Sequence, residues 1–302
     1  MKYINWTVAA EQAGARLRQV LRQGYGLSRR QLVRLKQNPW AVLVNGMPAL
    51  LISRLQAGDR VQVKLEEHLE PLPPEPIPLD IIYEDEVLVV VNKPAGMVSH
   101  PTKGYKGGTL ANALSWHWQQ RGERLPARLV TRLDKDTSGL VLAAKSAWSH
   151  YQLSQGGINK IYYAITRGIP HPLIGEIALP IGRSLDNTGL RGVNPAGKPA
   201  LTRYWTEAAG ESFALVRLQP VTGRTHQLRI HMASIGCPLV DDYMYGVEEG
   251  IVGRTALHAY SLQFVHPSTG DRLCFTSDLP GDMAAAVCGR VEGTGLLPDR
   301  DN

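Results

Sequence analysis

Two stretches carry more chemistry-bearing side chains than packing asks for. Residues 131–145 read TRLDKDTSGLVLAAK: two acids, Asp134 and Asp136, sit in a polar Thr-Ser-Gly turn ahead of an apolar strand. Asp is a common turn residue, and either acid could fill that role. A carboxylate fixed there could also serve as nucleophile or base. Residues 221–238 read VTGRTHQLRIHMASIGCP, predicting a turn at Thr222-Gly223 and then a helix with Leu228, Met232 and Ile235 on its buried side. Arg224, His226, Gln227, Arg229 and His231 crowd onto the same stretch. The two histidines are five apart, whereas zinc-binding helices use i, i+4 with an acid between, so phosphate contact fits better than metal ligation.

The chain around these stretches bounds the rest. Its 302 residues, 43% hydrophobic and 20% charged, predict a globular protein with one large domain and a small one. The three cysteines, Cys237, Cys274 and Cys288, lack paired spacing and fit a reducing cytoplasm. No apolar run approaches a membrane span, and the amino terminus has no leader pattern, so neither membrane nor secretion is expected. The charge is uneven. Residues 1–58 hold nine Lys/Arg and one Glu, a net +8, so with +6 overall the remainder sums to −2. Arg16, Arg18, Arg22, Arg29, Arg30, Arg34, Lys36 and Arg54 all lie in a stretch without a single acid. Such a concentration points to a polyanionic partner.

The predicted organisation is a module at 1–67, a stiff Pro-rich linker at 68–78, a larger domain at 79–280, and a partly disordered tail at 281–302. In the first module Leu17, Val20 and Leu21 have helical spacing, Ser28 and Gln31 resemble a capping box, and Leu32 and Leu35 face inward. Asn45-Gly46 predicts a tight turn, and Val61, Val63 and Leu65 alternate as in a half-buried strand. Two short basic helices followed by such strands resemble the S4 RNA-binding domain. In the second domain, alternating apolar segments mixed with helical patterns predict an α+β fold.

TRLDKDTSGLVLAAK resembles the HRLDxxTSG signature of the RluA family of pseudouridine synthases. The similarity continues through YEDEVLVVVNKPAGMVSHPTKGYKGGTLANAL, KIYYA, TGRTHQLRIHMASIG and LHAYSLQFVHPSTG, from about residue 78 to 280. The resemblance implies a mixed, largely antiparallel sheet and isomerisation of uridine to pseudouridine in RNA. No cofactor and no metal would be needed, which agrees with the missing Walker, GxGxxG and HExxH motifs. It puts the reacting carboxylate at Asp134, as nucleophile or as base for the 2′-proton. It makes Arg229 the cation beside it and Tyr162 the ring that stacks on the target base. Arg132 would fill the space left by that base, and Lys93, Arg224, His226 and Gln227 would line the RNA-facing cleft. Arg16, Arg18, Arg29, Arg30, Arg34 and Lys36 would hold phosphates. Ribosomal RNA is the first expectation for substrate and transfer RNA the second, with the protein a monomer.

The chain departs from the pattern at Thr131, where His is usual, at Asp241, where Gly is usual, at Cys237, and in a shorter segment at 146–159. A non-catalytic RNA-binding or ribosome-assembly protein of the same fold is the rival reading. It has no evident need to keep Asp134, Tyr162 and Arg229 together.

Overall fold

The computed structural model describes residues 2–25, 27, 29–65, 72–184 and 189–291, with the side chains of 2, 3, 30 and 65 left undescribed. The first 65 residues build a four-stranded antiparallel sheet in the order β1-β4-β2-β3. Its strands are β1 (Lys2–Thr7), β2 (Val42–Val44), β3 (Met47–Pro48) and β4 (Arg60–Leu65), with helices α1 (Leu17–Gln23) and α2 (Arg29–Leu35) between β1 and β2. The i, i+3, i+4 set Leu17, Val20 and Leu21 is buried together with Leu35, Val61 and Val63 in one core. Asn45 (φ 51°) and Gly46 (φ 81°) form the tight turn joining β2 to β3. Both central residues of such a turn need positive φ, which Asn and Gly tolerate. The expected cap at Ser28 lies outside the described residues.

Residues 72–78 are no free spacer. Leu72 packs on the core of the large domain, and Glu75 accepts from Gly108 N–H through Oε2 at 2.9 Å. Asn112 Nδ2 donates to the Pro73 carbonyl at 2.8 Å, fastening the segment to α3 (Leu110–Gln120).

The large domain is organised by a ten-stranded sheet. In chain order its strands are β5 (Asp80–Glu84), β6 (Leu88–Lys93), β7 (Arg128–Leu129), β8 (Ser138–Ala144), β9 (Asn159–Arg167), β10 (Ile174–Ile177), β13 (Thr202–Ala209), β14 (Phe213–Pro220), β15 (Leu257–Val265) and β16 (Arg272–Thr276). β11 (Ile181–Arg183) and β12 (Arg191–Val193) form a separate hairpin. The main path runs β10-β13-β14-β9-β15-β8-β6-β5, with β16 beside β15 and β7 beside β8. Every pairing is antiparallel except β8 with β15, so the sheet is mixed and largely antiparallel, as expected. Strand alternation sends Val89, Val91, Val141 and Ala143 into one core, and Leu88, Val90, Leu140 and Leu142 into another on the opposite face. The apolar run 87–91 is therefore a strand covered on both sides.

Two helices, α4 (Ala147–Gln155) and α5 (Gln227–Ser234), complete the site region, and α6 (Gly281–Arg290) closes the domain. The expected boundary at 280 moves. Met283 and Ala286 of α6 are buried with Ile165, Phe213 and Val240, because one apolar side of this Ala-rich segment finds a partner in the sheet. The rest of the expected tail, 292–302, lies outside the described residues. Ile235 also differs from expectation: it follows α5 and is 37% exposed, while Leu228 and Met232 are buried. The helix ends at Ser234 before its third apolar position can turn inward.

Candidate active site

Asp134 occupies the loop that enters β8, a strand buried along its whole length. Four contacts fix this loop from below. Ser99 Oγ donates to the Leu133 carbonyl at 2.6 Å, and Leu133 N–H returns a bond to the same oxygen at 3.2 Å. Lys93 Nζ reaches the Lys135 carbonyl at 3.1 Å, and Arg254 Nη1 the Asp136 carbonyl at 3.1 Å. Beyond the loop, Gly139 (φ 109°) crosses the backbone of Ala259 so closely that any Cβ would overlap it. Only glycine permits this crossing. The Thr-Ser-Gly of the signature thus serves strand packing, and the acid ahead of it is presented by a rigid support.

The carboxylate of Asp134 is 34% exposed at the floor of a cleft of about 960 Å³. Arg229 Nη1 approaches Oδ2 to 3.6 Å and His226 Nε2 approaches Oδ1 to 3.9 Å. Both separations are longer than good hydrogen bonds, so the oxygens keep lone pairs for another partner. Arg229 is held from behind by the fully buried Asp242, its Nε donating to Oδ2 at 2.7 Å and its Nη2 to Oδ1 at 2.6 Å. Burial works against the guanidinium charge, but the bonds and charge of Asp242 and the charge of Asp134 outweigh it and push Arg229 up. Tyr245 lies under the guanidinium at 5.2 Å and takes part in a 2.9 Å hydrogen bond with His226 Nδ1.

Tyr162, on β9, lines the cleft and is buried. Burial, with the nearby charge of Asp134, raises its phenol well above the ordinary range, so the ring stays protonated at neutral pH. His226 is pulled down by burial although Asp134 opposes this, which leaves its imidazole predominantly neutral. It stands at the start of α5 in a left-handed conformation (φ 56°).

Of the residues singled out in sequence, Asp134, Tyr162, Arg229, Arg132, Arg224, His226 and Gln227 line this one cleft. Arg132 is exposed and Arg224 half-buried, with Nε on the Pro199 carbonyl at 3.0 Å. Gln227, within that lining, and Lys93, outside it, turn their polar groups inward. Gln227 is 4% exposed and spends its amide on Leu201, Thr202, Thr222 and Arg224. Lys93 is 1% exposed, with its ammonium on the carbonyls of Pro94, Met97 and Lys135 at 2.7, 2.9 and 3.1 Å. It supports the loop from beneath instead of facing the cleft. His231 is likewise turned inward, to Thr202 and the Leu179 carbonyl. In the N-terminal module Arg16, Arg18, Arg29 and Lys36 are exposed and Arg34 half-buried; the side chain of Arg30 lies outside the described residues.

The departures have structural work. Thr131 accepts from Leu142 N–H at 2.9 Å, tying the loop to β8. Cys237 is a small residue in the main core. Asp241 is left-handed (φ 54°), the conformation for which glycine is the easy choice, and its carboxylate accepts from the N–H groups of Glu249, Gly250, Val252 and Gly253. Asp242, Ser99 and Tyr245 were not singled out in sequence. The one available signal was the pair of acids at 241–242 after the apolar Pro238–Leu239–Val240 run, each of which has to find donors or a cation if it is buried.

A family model described as RNA pseudouridylate synthase matches residues 87–234. The uncharacterized RNA pseudouridine synthase YjbO of Bacillus subtilis is 38% identical over 270 residues, 87% of this chain and 95% of that protein. The chain belongs to the RNA pseudouridine synthase family. Ribosomal large subunit pseudouridine synthase D of Neisseria meningitidis (serogroup A) is 36% identical over 299 residues, covering 93% of this chain and 80% of that one. The solved structure of human RNA pseudouridylate synthase domain containing 1 superimposes with a TM-score of 0.60 at 25% identity, over 76% of this chain and 94% of that chain. This pseudouridine synthase is therefore an isomerase acting on RNA. Among its described residues no helix is long and apolar enough to cross a membrane, and no group of three or more His, Cys, Asp and Glu could hold a metal ion.

Proposed function

We propose that this pseudouridine synthase isomerises a uridine in large-subunit ribosomal RNA, with the Asp134 carboxylate as the reacting group. The observation that carries the assignment is the ionised pair: a buried, charge-locked Arg229 lies 3.6 Å from a carboxylate that is still open to the cleft. A cation held at this distance steadies the carboxylate where attack at C1′ or removal of the 2′-proton would need it. The reaction breaks N1–C1′, turns the uracil and forms C5–C1′, while C5 loses a proton and N1 gains one, with no net loss or gain of atoms or electrons. A resident cofactor is not required by that balance.

The uridine has to leave its stack to reach the cleft floor, at a cost of a few kcal/mol. Tyr162, protonated and flat, suits the role of the ring on which the everted uracil lies; stacking of this kind is commonly worth about 1–3 kcal/mol. Arg132, exposed at the cleft, is placed to occupy the gap in the RNA. Arg224 and His226 supply polar contacts on the opposite wall, while Gln227 and Lys93 hold the walls themselves. Residues 1–67 act as an S4-like module whose exposed Arg16, Arg18, Arg29 and Lys36 grip phosphates without reading sequence. The large-subunit target is favoured by the breadth of similarity to ribosomal large subunit pseudouridine synthase D; transfer RNA is the second candidate.

The test is incubation of the protein with unmodified ribosomal and transfer RNA transcripts, followed by pseudouridine mapping. One position in large-subunit RNA should be modified. Asp134→Asn should abolish product while leaving RNA affinity within about twofold. Turnover by that variant equal to wild type would remove Asp134 from the chemistry, and modification of transfer RNA alone would reassign the substrate.

A further inference from the structure

A second cavity, of about 340 Å³, opens in the N-terminal module between the end of α2 and residues 48–52. Lys36 and Asn38 are its polar lining residues; the others, including Leu35, Val42, Leu50 and Ile52, are apolar. Its surroundings expose an unusual amount of apolar surface: Trp40 at 67%, Met47 and Leu50 at 70%, Ile52 at 58% and Val33 at 49%. Trp40 belongs to a short 3-10 helix, Pro39–Ala41, whose start is fixed by Asn38 Oδ1 accepting from Trp40 N–H at 3.0 Å. On α2 and its end, Arg29, Val33 and Lys36 have i, i+4, i+7 spacing and are all exposed, so a stripe with a cation at each end leads to a cavity lined by its own last lysine. A cavity with exposed apolar lining residues such as Leu50 and Ile52 marks a contact site. The net +8 of residues 1–58 selects a strongly anionic occupant.

We infer that this surface receives an unpaired nucleobase of the RNA, with the apolar hollow and the exposed indole of Trp40, which adjoins the lining residue Pro39 in the chain but lies outside the lining itself, as its apolar partners, and Arg29 and Lys36 on the flanking phosphates. RNA joins a uniformly negative backbone to flat apolar faces, and this surface joins cations to an exposed indole and an apolar hollow. The inference rests on the reading of residues 1–67 as an RNA-gripping module, and adds preference for a bulge or loop to a grip that is otherwise blind to base pairing. The size of the cavity lies within the range of pockets for small planar ligands.

The test uses the full chain and two labelled RNA hairpins that differ by one bulged adenosine, measured by fluorescence anisotropy at fixed salt. Wild type should bind the bulged hairpin more tightly. Trp40→Ala combined with Leu50→Ser should weaken binding to it about tenfold, leave the paired hairpin unchanged, and leave the melting temperature within a few degrees, since both side chains are exposed. Arg18→Ala combined with Arg22→Ala should weaken both hairpins alike. Equal effects of the Trp40/Leu50 variant on both RNAs, or no effect on either, would overturn the cavity assignment while the module reading stands. No effect of the Arg18/Arg22 variant on either hairpin would overturn the module reading and the cavity assignment with it. A Trp40-dependent dimer in sedimentation, with RNA affinity unaltered, would give the cavity to a second copy and overturn the proposal too.

Discussion

Asp242 grips Arg229 with two hydrogen bonds of 2.7 and 2.6 Å, so that the remaining guanidinium nitrogen is aimed at Asp134 from 3.6 Å. Asp242 never meets the cleft, yet it sets the orientation of the group that does. One oxygen of the same carboxylate also fixes the turn that follows, since Oδ1 accepts from the N–H groups of Met244 and Tyr245.

Asp242→Asn keeps the shape and removes the charge, leaving Arg229 buried with one partner fewer. Breaking a buried pair by removing one side typically costs about 3–5 kcal/mol. The expected outcome is a loss of stability toward the lower end of that range and a fall in turnover of about tenfold or more, read by urea denaturation and single-turnover kinetics. Arg229→Lys should also fail, because an ammonium cannot make the two parallel bonds to Asp242 and still face Asp134.

Tyr162 offers a cleaner separation of roles. If the ring serves as a stacking surface, Tyr162→Phe should retain measurable turnover and Tyr162→Leu should lose far more. Because burial and the charge of Asp134 hold the phenol above its ordinary range, the pH–rate profile should show no loss of activity from Tyr162 ionisation below pH about 10. A wild-type rate governed by an ionisation near neutrality and absent in Tyr162→Phe would contradict this.

Lys93 gives a prediction about stability. Burial lowers its ammonium to about 7, below the ordinary lysine range. The unfolded chain therefore binds more protons than the folded one between about pH 7 and 10.5, and over that window this group makes stability rise with pH. Replacing Lys93 by Met should lower stability overall, since three carbonyls lose their donor, and should remove that rise. The wild type should gain on the variant by up to about 1.4 kcal/mol per pH unit, measured by denaturation at a series of pH values.

Much of the frame was legible, and for identifiable reasons. Asn45-Gly46 marked its turn because few other pairs accept two positive φ angles, and Leu17, Val20 and Leu21 marked their helix by period alone. The contact between Asp134 and Arg229 was reachable only through the family signature, since nothing local relates residues 95 positions apart. Lys93 was misjudged as cleft-facing, and Gln227, which does line the cleft, turns its amide inward, because a polar side chain that binds backbone groups inside a protein has the same composition as one that binds phosphate outside. The docking of α6 was missed because an Ala-rich segment near the end of a chain has no apolar face strong enough to stand out until the sheet supplies its partner.

Asp241 bears on the loop at 249–253. Four N–H groups hold its carboxylate below the ordinary range against the cost of burial, so the stability it provides is present above pH about 4 and lost as pH falls through its lowered value. Asp241→Asn tolerates the left-handed backbone but accepts fewer bonds, while Asp241→Ala loses the bonds and meets the strain as well. Expected losses are about 1 kcal/mol for Asn and 2 kcal/mol or more for Ala, by thermal denaturation.

The role proposed for the N-terminal module, phosphate neutralisation with counterion release, requires RNA affinity to fall steeply with salt. A plot of log affinity against log salt should become shallower on removal of residues 1–67, with chemistry on bound RNA less affected than binding. An unchanged slope would take that role away from the module.

The crossing of Gly139 against Ala259 hangs the loop that carries Asp134 from the parallel junction of β8 with β15, at buried positions of both strands. Local fraying cannot release such a support. Amide protons along 138–144 should exchange only through global opening, and heat inactivation should coincide with melting of the whole domain and never precede it. The adaptation needed to seat different RNA segments then falls to the nucleic acid and to the side chains at the mouth, while the floor stays fixed.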